Sequence, residues 1–181
     1  MASTSAAPID PSRMKFGVGQ PVRRVEDAVL VRGEGRYADD KRLPGQLWAA
    51  FARAQIAHGI LRGVDVAAAL ETPGVVAAYV AADLDAAGRR DLKCLLPLKN
   101  VDGSPMDSPA RPSLARDRVR FVGECVACVV AETPEAARDG AEQVTMEIEA
   151  LPAVVDMRAA LAPDAPKLFE SGNLVLDHAL G

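Results

Sequence analysis

The chain has few aromatic residues, few histidines and few cysteines. Aromatic side chains make up 4% of its 181 residues, and there are two histidines and three cysteines. Alanine and valine supply most of the apolar volume, so the sequence predicts a core of small and branched side chains. The odd cysteine count argues against a disulfide scaffold, in which cysteines are present in pairs.

Long runs of one charge are also missing. No run of lysine and arginine exceeds two residues, and the formal net charge is −4. Nucleic-acid binding needs a basic stripe or patch on the protein surface. We therefore expect no nucleic acid among the partners of this chain.

Long apolar runs are absent as well. No stretch approaches the roughly 18 apolar residues that a transmembrane helix needs. Residues 1–13 are rich in alanine, serine and proline and have no apolar stretch of the kind found in secretory signals. We expect a disordered tail over residues 1–14, no membrane association and a cytoplasmic location.

The remaining pattern is typical of an α+β protein. Periodicity predicts strands at residues 47–53, 75–80, 119–122, 126–131 and 145–149, with 75–80 buried on both faces. One helix follows Asp65, and a second begins at Thr133 with Pro134 in the first helical position. We expect one domain over residues 15–162, with a mixed sheet and two main helices, and then a linker over residues 163–181.

The spacing CVAC at residues 125–128 is one that can hold zinc or support redox chemistry. It lies in a predicted strand, where side chains three residues apart point to opposite faces. No second cysteine pair or histidine pair accompanies it, so small buried side chains are the favoured interpretation. The third cysteine, Cys94, lies in or near a long loop and is a candidate free thiol.

Histidines and glycine pairs give no catalytic pattern. His58 and His178 stand far apart and no serine or cysteine elbow accompanies them, so a structural role is favoured for His58. The pairs Gly17/Gly19 and Gly33/Gly35 do not continue into a phosphate-binding motif. A small enzyme acting on its own is therefore disfavoured.

Two polar segments are candidates for contact with another domain. Residues 32–40 read RGEGRYADD, and here Arg32 and Arg36 could pair with nearby carboxylates, whereas Asp39 and Asp40 could instead be solvated charges or caps. Residues 88–112 form a long loop without periodicity, and such loops are often functional. A third candidate is the predicted turn Gly123–Glu124, where Glu124 is either a surface turn residue or a polar contact to a neighbouring domain.

Ordered motifs along most of the chain resemble one enzyme family. They are GQPV at 19–22, RGEGRYADD at 32–40, LWAAFAR at 47–53, Ala-His at 57–58, PGVV at 73–76, RVRFVGE at 118–124 and LPAVVD at 151–156. The chain resembles the amino-terminal α/β hammerhead domain of the large, molybdenum-binding subunits of the xanthine dehydrogenase, aldehyde oxidase and carbon monoxide dehydrogenase family. It departs from the family pattern at Cys125 and Cys128, where proline and alanine are usual.

The resemblance implies a structural role. In this family a molybdenum-pterin cofactor is bound by later domains of the large subunit, and iron–sulfur and FAD cofactors lie on partner subunits. No position of this chain matches a catalytic or pterin-binding motif of the family, so we expect no cofactor on this chain alone. The domain would pack on the cofactor-binding domains, with Arg32, Arg36, Asp39, Asp40, Gly123 and Glu124 as candidate contacts. The alternative is a free-standing interaction or scaffold domain that has lost the enzyme.

Overall fold

The computed structural model of the chain describes residues 24–96 and 98–179. The predicted tail over residues 1–14 and the pair Gly17/Gly19 lie outside these residues. The chain divides into two compact units, Met1–Pro44 and Gly45–Gly181. Among the described residues, no helix is long and apolar enough to cross a membrane.

The described part of the first unit contains two short helical segments. Helix α1 comprises Asp27–Leu30, and a single 3₁₀ turn comprises Ala38–Asp40. Between them, Gly33 has a φ angle of +70°, a conformation that side chains with a Cβ rarely adopt. At Gly35, an added Cβ would lie 2.6 Å from the Leu30 side chain. The two glycines thus allow a tight return of the chain past α1.

The described part of the second unit contains six strands and three α-helices. In chain order these are β1 (Trp48–Arg53), β2 (Gly59–Asp65), α2 (Ala67–Leu70), β3 (Val75–Val80), α3 (Ala81–Ala86), β4 (Arg118–Val119), β5 (Cys125–Ala131), α4 (Pro134–Glu142) and β6 (Thr145–Ala150). A 3₁₀ turn at Ala159–Leu161 follows β6. The α+β class predicted from the sequence is confirmed.

The strands form two three-stranded sheets, with orders β1-β5-β3 and β4-β2-β6. All four pairings are antiparallel, so the prediction of one mixed sheet is wrong in this detail. The reason lies in two strand–helix–strand segments, β2-α2-β3 and β5-α4-β6. Each places its two strands in different sheets, and the segments then pair crosswise, β3 with β5 and β2 with β6.

Small side chains allow the helices to lie close to the first sheet. An added Cβ at Gly140 of α4 would lie 2.7 Å from the Val75 side chain and 3.0 Å from that of Val129. A cluster of buried apolar side chains brings together residues of β2, β4 and β5 with two loop residues, namely Leu61, Val119, Val126, Ala54 and Ala115. The predicted core of small and branched side chains is confirmed.

Local capping follows the sequence prediction. The Thr133 hydroxyl accepts a hydrogen bond from the Ala136 backbone N–H at 3.1 Å, and Pro134 is the first residue of α4. The Asp65 carboxylate accepts one from the Ala67 backbone N–H at 2.9 Å at the start of α2. These bonds satisfy amide groups that the first turn of a helix leaves without a partner.

One side of the first sheet packs against α4, and the other side is the outer face. The outer face consists of Ala49, Phe51, Ala77, Tyr79, Cys128 and Val130, which are cross-strand neighbours in the register of β1, β5 and β3. Phe51 and Tyr79 are each 44% exposed. Strand β3 was predicted to be buried on both faces, and the exposure of Tyr79 shows that this is wrong.

Candidate functional site

The candidate contact residues in the first unit make local interactions. The Arg32 guanidinium pairs with the Glu34 carboxylate at 3.1 Å, and not with the carboxylates further along the segment. The Asp40 carboxylate accepts a hydrogen bond from the Tyr37 backbone N–H at 2.9 Å, and the Asp39 carbonyl accepts one from the Arg42 guanidinium. Arg36 is exposed. The segment is therefore a capped surface turn with charged side chains directed to solvent.

The Gly123–Glu124 turn in the second unit is built into the end of β1. The Gly123 N–H donates to the Ala54 carbonyl at 2.8 Å, and the Ala54 N–H donates to the Glu124 carbonyl at 2.9 Å. Gly123 has a φ angle of +86°, which favours glycine at this position. The predicted turn is confirmed, and its two backbone bonds fix it to the first sheet.

The Glu124 side chain is not on the surface. It is 8% exposed, and its carboxylate accepts a hydrogen bond from the Arg120 backbone N–H at 2.5 Å. The surface-turn interpretation is thus wrong, because the carboxylate closes the loop of residues 120–124 from inside. The exposed side chains of this loop are apolar, with Phe121 57% and Val122 62% exposed.

Arginine side chains lie beside this turn. The Arg53 guanidinium donates to the Gly123 carbonyl at 2.8 Å and lies 5.7 Å from the centre of the Phe51 ring. The Arg120 guanidinium lies 5.2 Å from the Phe169 ring and donates to the Leu168 carbonyl at 3.2 Å. Both arginines are held by backbone carbonyls and aromatic rings, which fixes their position at the domain surface.

His58 is buried, at 4% exposure, and both ring nitrogens have neighbours. Nδ1 lies 2.8 Å from the Pro152 carbonyl oxygen, and Nε2 lies 3.4 Å from Nη1 of Arg118. The carbonyl requires a proton on Nδ1, and the arginine donates toward an unprotonated Nε2. This arrangement ties the end of β6 to β4, so the structural role predicted for His58 is the one its contacts describe.

The long loop of residues 88–112 exposes a run of leucines. Leu92, Leu95 and Leu96 are 64%, 89% and 65% exposed, and Cys94 lies exposed between them. Farther along the loop, the Asn100 side chain holds a turn by donating to the Ser104 hydroxyl at 2.9 Å. The exposed leucines are consistent with a surface that another protein segment covers.

The end of the chain runs along this loop. The Val101 N–H donates to the Asp177 carbonyl at 2.9 Å, and the Asp107 N–H donates to the Val175 carbonyl at 3.0 Å. A ring nitrogen of His178 lies 3.0 Å from the Lys99 carbonyl oxygen. The described part of the predicted linker, residues 163–179, is thus hydrogen-bonded to the domain near its end.

The CVAC segment has an irregularity that the sequence did not predict. The register between β1 and β5 shifts by one residue beside Val126, where Ala52 pairs with Ala127 and Arg53 pairs with Cys125. Val126 and Ala127 are both buried, whereas Cys125 and Cys128 are both half-buried. A bulge of one residue reverses the alternation of side chains. The two cysteines therefore lie on the same side of β5, and the prediction of opposite faces is wrong.

The Cys128 thiol is expected to react slowly with alkylating reagents in the folded chain. Burial, and to a lesser degree the neighbouring Cys125, raises the pKa of Cys128 above its ordinary value. Because the thiolate is the reactive form, less of it is present at a given pH, and alkylation begins at higher pH than in the unfolded chain. Mass spectrometry of iodoacetamide-labelled peptides across a pH series measures this directly.

The experiment has two controls, the exposed thiol of Cys94 in the folded chain and the thiol of Cys128 in the unfolded chain. Cys94 is exposed and should be labelled early in the folded chain, and Cys128 should be labelled at the same pH as Cys94 once urea has unfolded the protein. Equal labelling of Cys128 and Cys94 in the folded chain near pH 8 would contradict the expectation.

The described histidine, cysteine and carboxylate side chains do not form a metal-binding cluster. Within residues 24–96 and 98–179, no group of three or more histidine, cysteine, aspartate or glutamate side chains is placed to hold a metal ion. The half-buried cysteines have no third ligand, and His58 is engaged on both nitrogens.

The chain is similar to known proteins of one enzyme family. The family model for the aldehyde oxidase and xanthine dehydrogenase a/b hammerhead domain matches residues 32–152. The chain is 36% identical over 154 residues to the carbon monoxide dehydrogenase large chain of Afipia carboxidovorans, covering 85% of this chain and 18% of that protein. It is 33% identical over 157 residues to the xanthine dehydrogenase molybdenum-binding subunit of Escherichia coli O157:H7, covering 84% and 20%.

The fold is also similar to that of a solved structure. The crystal structure of quinoline 2-oxidoreductase from Pseudomonas putida 86 is similar with a TM-score of 0.73 and 36% identity, covering 85% of this chain and 19% of that chain. This chain thus spans about a fifth of the length of the curated relatives described above. The outer face of the first sheet and the bulge beside Val126 had no counterpart in the sequence prediction.

Proposed function

This chain belongs to the aldehyde oxidase and xanthine dehydrogenase a/b hammerhead domain family, and from that premise we propose that it is a structural domain of a molybdenum hydroxylase large subunit. The observation that carries the proposal is the match of the family model to residues 32–152 together with the share of the relatives that it represents, 18% and 20%. In this proposal, cofactor binding and catalysis belong to the remaining four-fifths of such a subunit.

The proposed role is to pack on the cofactor-binding domains. One of the relatives is described as a molybdenum-binding subunit, which supports a molybdenum-pterin cofactor in the parent enzyme. That cofactor would supply oxidative hydroxylation with oxygen from water, and iron–sulfur and flavin subunits would accept the electrons. The residues of this chain would contribute shape and contacts to those domains.

Capture of the partner from the native host tests this proposal. Affinity-tagged chain is expected to recover a larger polypeptide that contains the cofactor-binding domains of this enzyme family, identified by mass spectrometry. Elemental analysis of the eluate should detect molybdenum in proportion to that polypeptide.

A tagged chain unfolded by heat and then cooled serves as the control for non-specific adsorption. Recovery of the chain alone, or with proteins unrelated to molybdenum enzymes, would contradict the proposal. That result would favour the alternative of a free-standing scaffold domain.

A further inference from the structure

The second sheet, β4-β2-β6, has one face that is exposed to solvent and carries charged side chains. Arg62 of β2 and Glu149 of β6 form a salt bridge at 2.5 Å, and both side chains are 53% exposed. Glu147, two residues earlier on β6, is also exposed. This sheet therefore has apolar side chains toward the core and charged side chains toward solvent, as antiparallel sheets with one free face usually do.

The outer face of the first sheet lacks this polar alternation. Two cross-strand rows make it up, Phe51–Cys128–Tyr79 and Ala49–Val130–Ala77, and neither row contains a charged side chain. The two aromatic side chains at the ends of the first row are each 44% exposed. The second sheet has charged side chains on its exposed face and the first sheet has none in these two rows. This contrast indicates that another protein surface covers the outer face.

The area of the outer face is small compared with the interface of a stable dimer. Strands about 4.8 Å apart and residues about 3.4 Å apart along a strand give these two rows an area on the order of 200 Å². A stable dimer needs roughly 800 Å² per partner, so a second copy of this chain docked on the outer face alone would bind weakly. A partner in the same polypeptide or the same permanent complex needs less area, because its effective concentration is high.

We propose that the outer face is the docking surface for the molybdenum-binding domains of the large subunit. This inference rests on the proposed function, and it names the surface that carries it. The occupant would present an apolar patch to Phe51, Tyr79 and Val130. At the edge of the face it would present a carboxylate or carbonyl oxygen to Arg53, whose guanidinium is already fixed by the Gly123 carbonyl at 2.8 Å. An apolar centre with a polar rim is the usual composition of such an interface.

The test compares charged substitutions on the two sheets of the full chain. Tyr79→Glu and Ala49→Glu each place a carboxylate in the outer face without removing a buried side chain. Glu147→Lys changes the charge at an exposed position on the second sheet and serves as the matched control. Each tagged variant is incubated with lysate of the native host, and the molybdenum enzyme polypeptide is quantified by mass spectrometry and by its molybdenum content. Thermal unfolding of each variant confirms that it is folded.

The inference predicts that the two outer-face variants recover at least about tenfold less of that polypeptide than the wild type, because a buried unpaired charge weakens association. The Glu147→Lys variant should recover as much as the wild type. Equal recovery by all folded variants would overturn the inference and leave the proposed function intact. No recovery by the wild type would overturn both. Concentration-dependent dimerisation of the wild type that is lost in the outer-face variants would identify a second copy as the occupant and also overturn it.

Discussion

Replacing Gly59 with alanine is expected to lower the free energy of unfolding by about 2–3 kcal/mol. An added Cβ would lie 2.6 Å from the Ile148 side chain, 2.7 Å from the Ile56 side chain and 2.8 Å from the Glu149 carbonyl oxygen. The side chains can rotate, but the carbonyl belongs to the backbone of β6. Gly59 is paired on both sides, with Ala150 of β6 and Val119 of β4, so β2 cannot move away from either strand without losing hydrogen bonds.

Gly63→Ala is the matched control, because Gly63 lies on the same strand and has only the flexible Glu147 carboxylate, at 3.7 Å, near an added Cβ. That variant should be unchanged or slightly more stable, since alanine reduces the freedom of the unfolded chain. Urea unfolding followed by circular dichroism measures both variants under the same conditions. Equal midpoints for the two variants would show that the close approach of β6 does not constrain Gly59.

The sequence predicted well those elements that depend on neighbouring residues. The cap at Thr133, the proline after it and the strand near residues 126–131 all follow from short patterns, and the structure has α4 and β5 at those places. The turn at Gly123 was equally local, because a positive φ angle is a property of one residue. Such features need no knowledge of what the chain packs against.

The sheet arrangement required information that short patterns do not contain. Strand β2 was not predicted, since its sequence, GILRGVD, has two glycines and no clean alternation, and its pairing with β6 holds it in place. Helix α3 was missed for a similar reason, because it follows β3 directly without a turn signal. The assignment of β3 and β2 to different sheets depends on contacts between residues far apart in the chain.

In the candidate site, too, some features could be predicted from the sequence and others depend on tertiary contacts. The ordered motifs led to the correct family because many residues along the chain contribute to a resemblance. The individual contact residues depend on burial, and a single acidic residue in an apolar segment does not reveal whether it faces solvent or a backbone amide. Glu124 faces the Arg120 amide, and the bulge beside Val126 depends on how β5 pairs with β1. Their positions could be found only from tertiary structure.

Glu124→Ala is expected to destabilise the domain by about 2–3 kcal/mol. The carboxylate is 8% exposed and accepts the Arg120 backbone N–H at 2.5 Å, so its removal leaves a part-buried amide without an acceptor. The backbone of Glu124 also bonds to Ala54 after β1, so loosening the turn affects the end of the first sheet. Chemical unfolding gives the loss of stability, and amide hydrogen exchange at Arg120 reports whether the loss arises at this bond.

Glu124→Gln separates the hydrogen bond from the charge. Glutamine retains a side-chain oxygen of similar reach that can accept the Arg120 N–H, although a neutral acceptor forms a weaker bond than a carboxylate. We therefore expect a loss of about 1 kcal/mol for this variant, with the Arg120 amide still protected from exchange. If glutamine and alanine destabilised equally and both exposed that amide, the negative charge itself would hold the turn. If neither variant changed stability, the buried carboxylate would have no role in holding the turn.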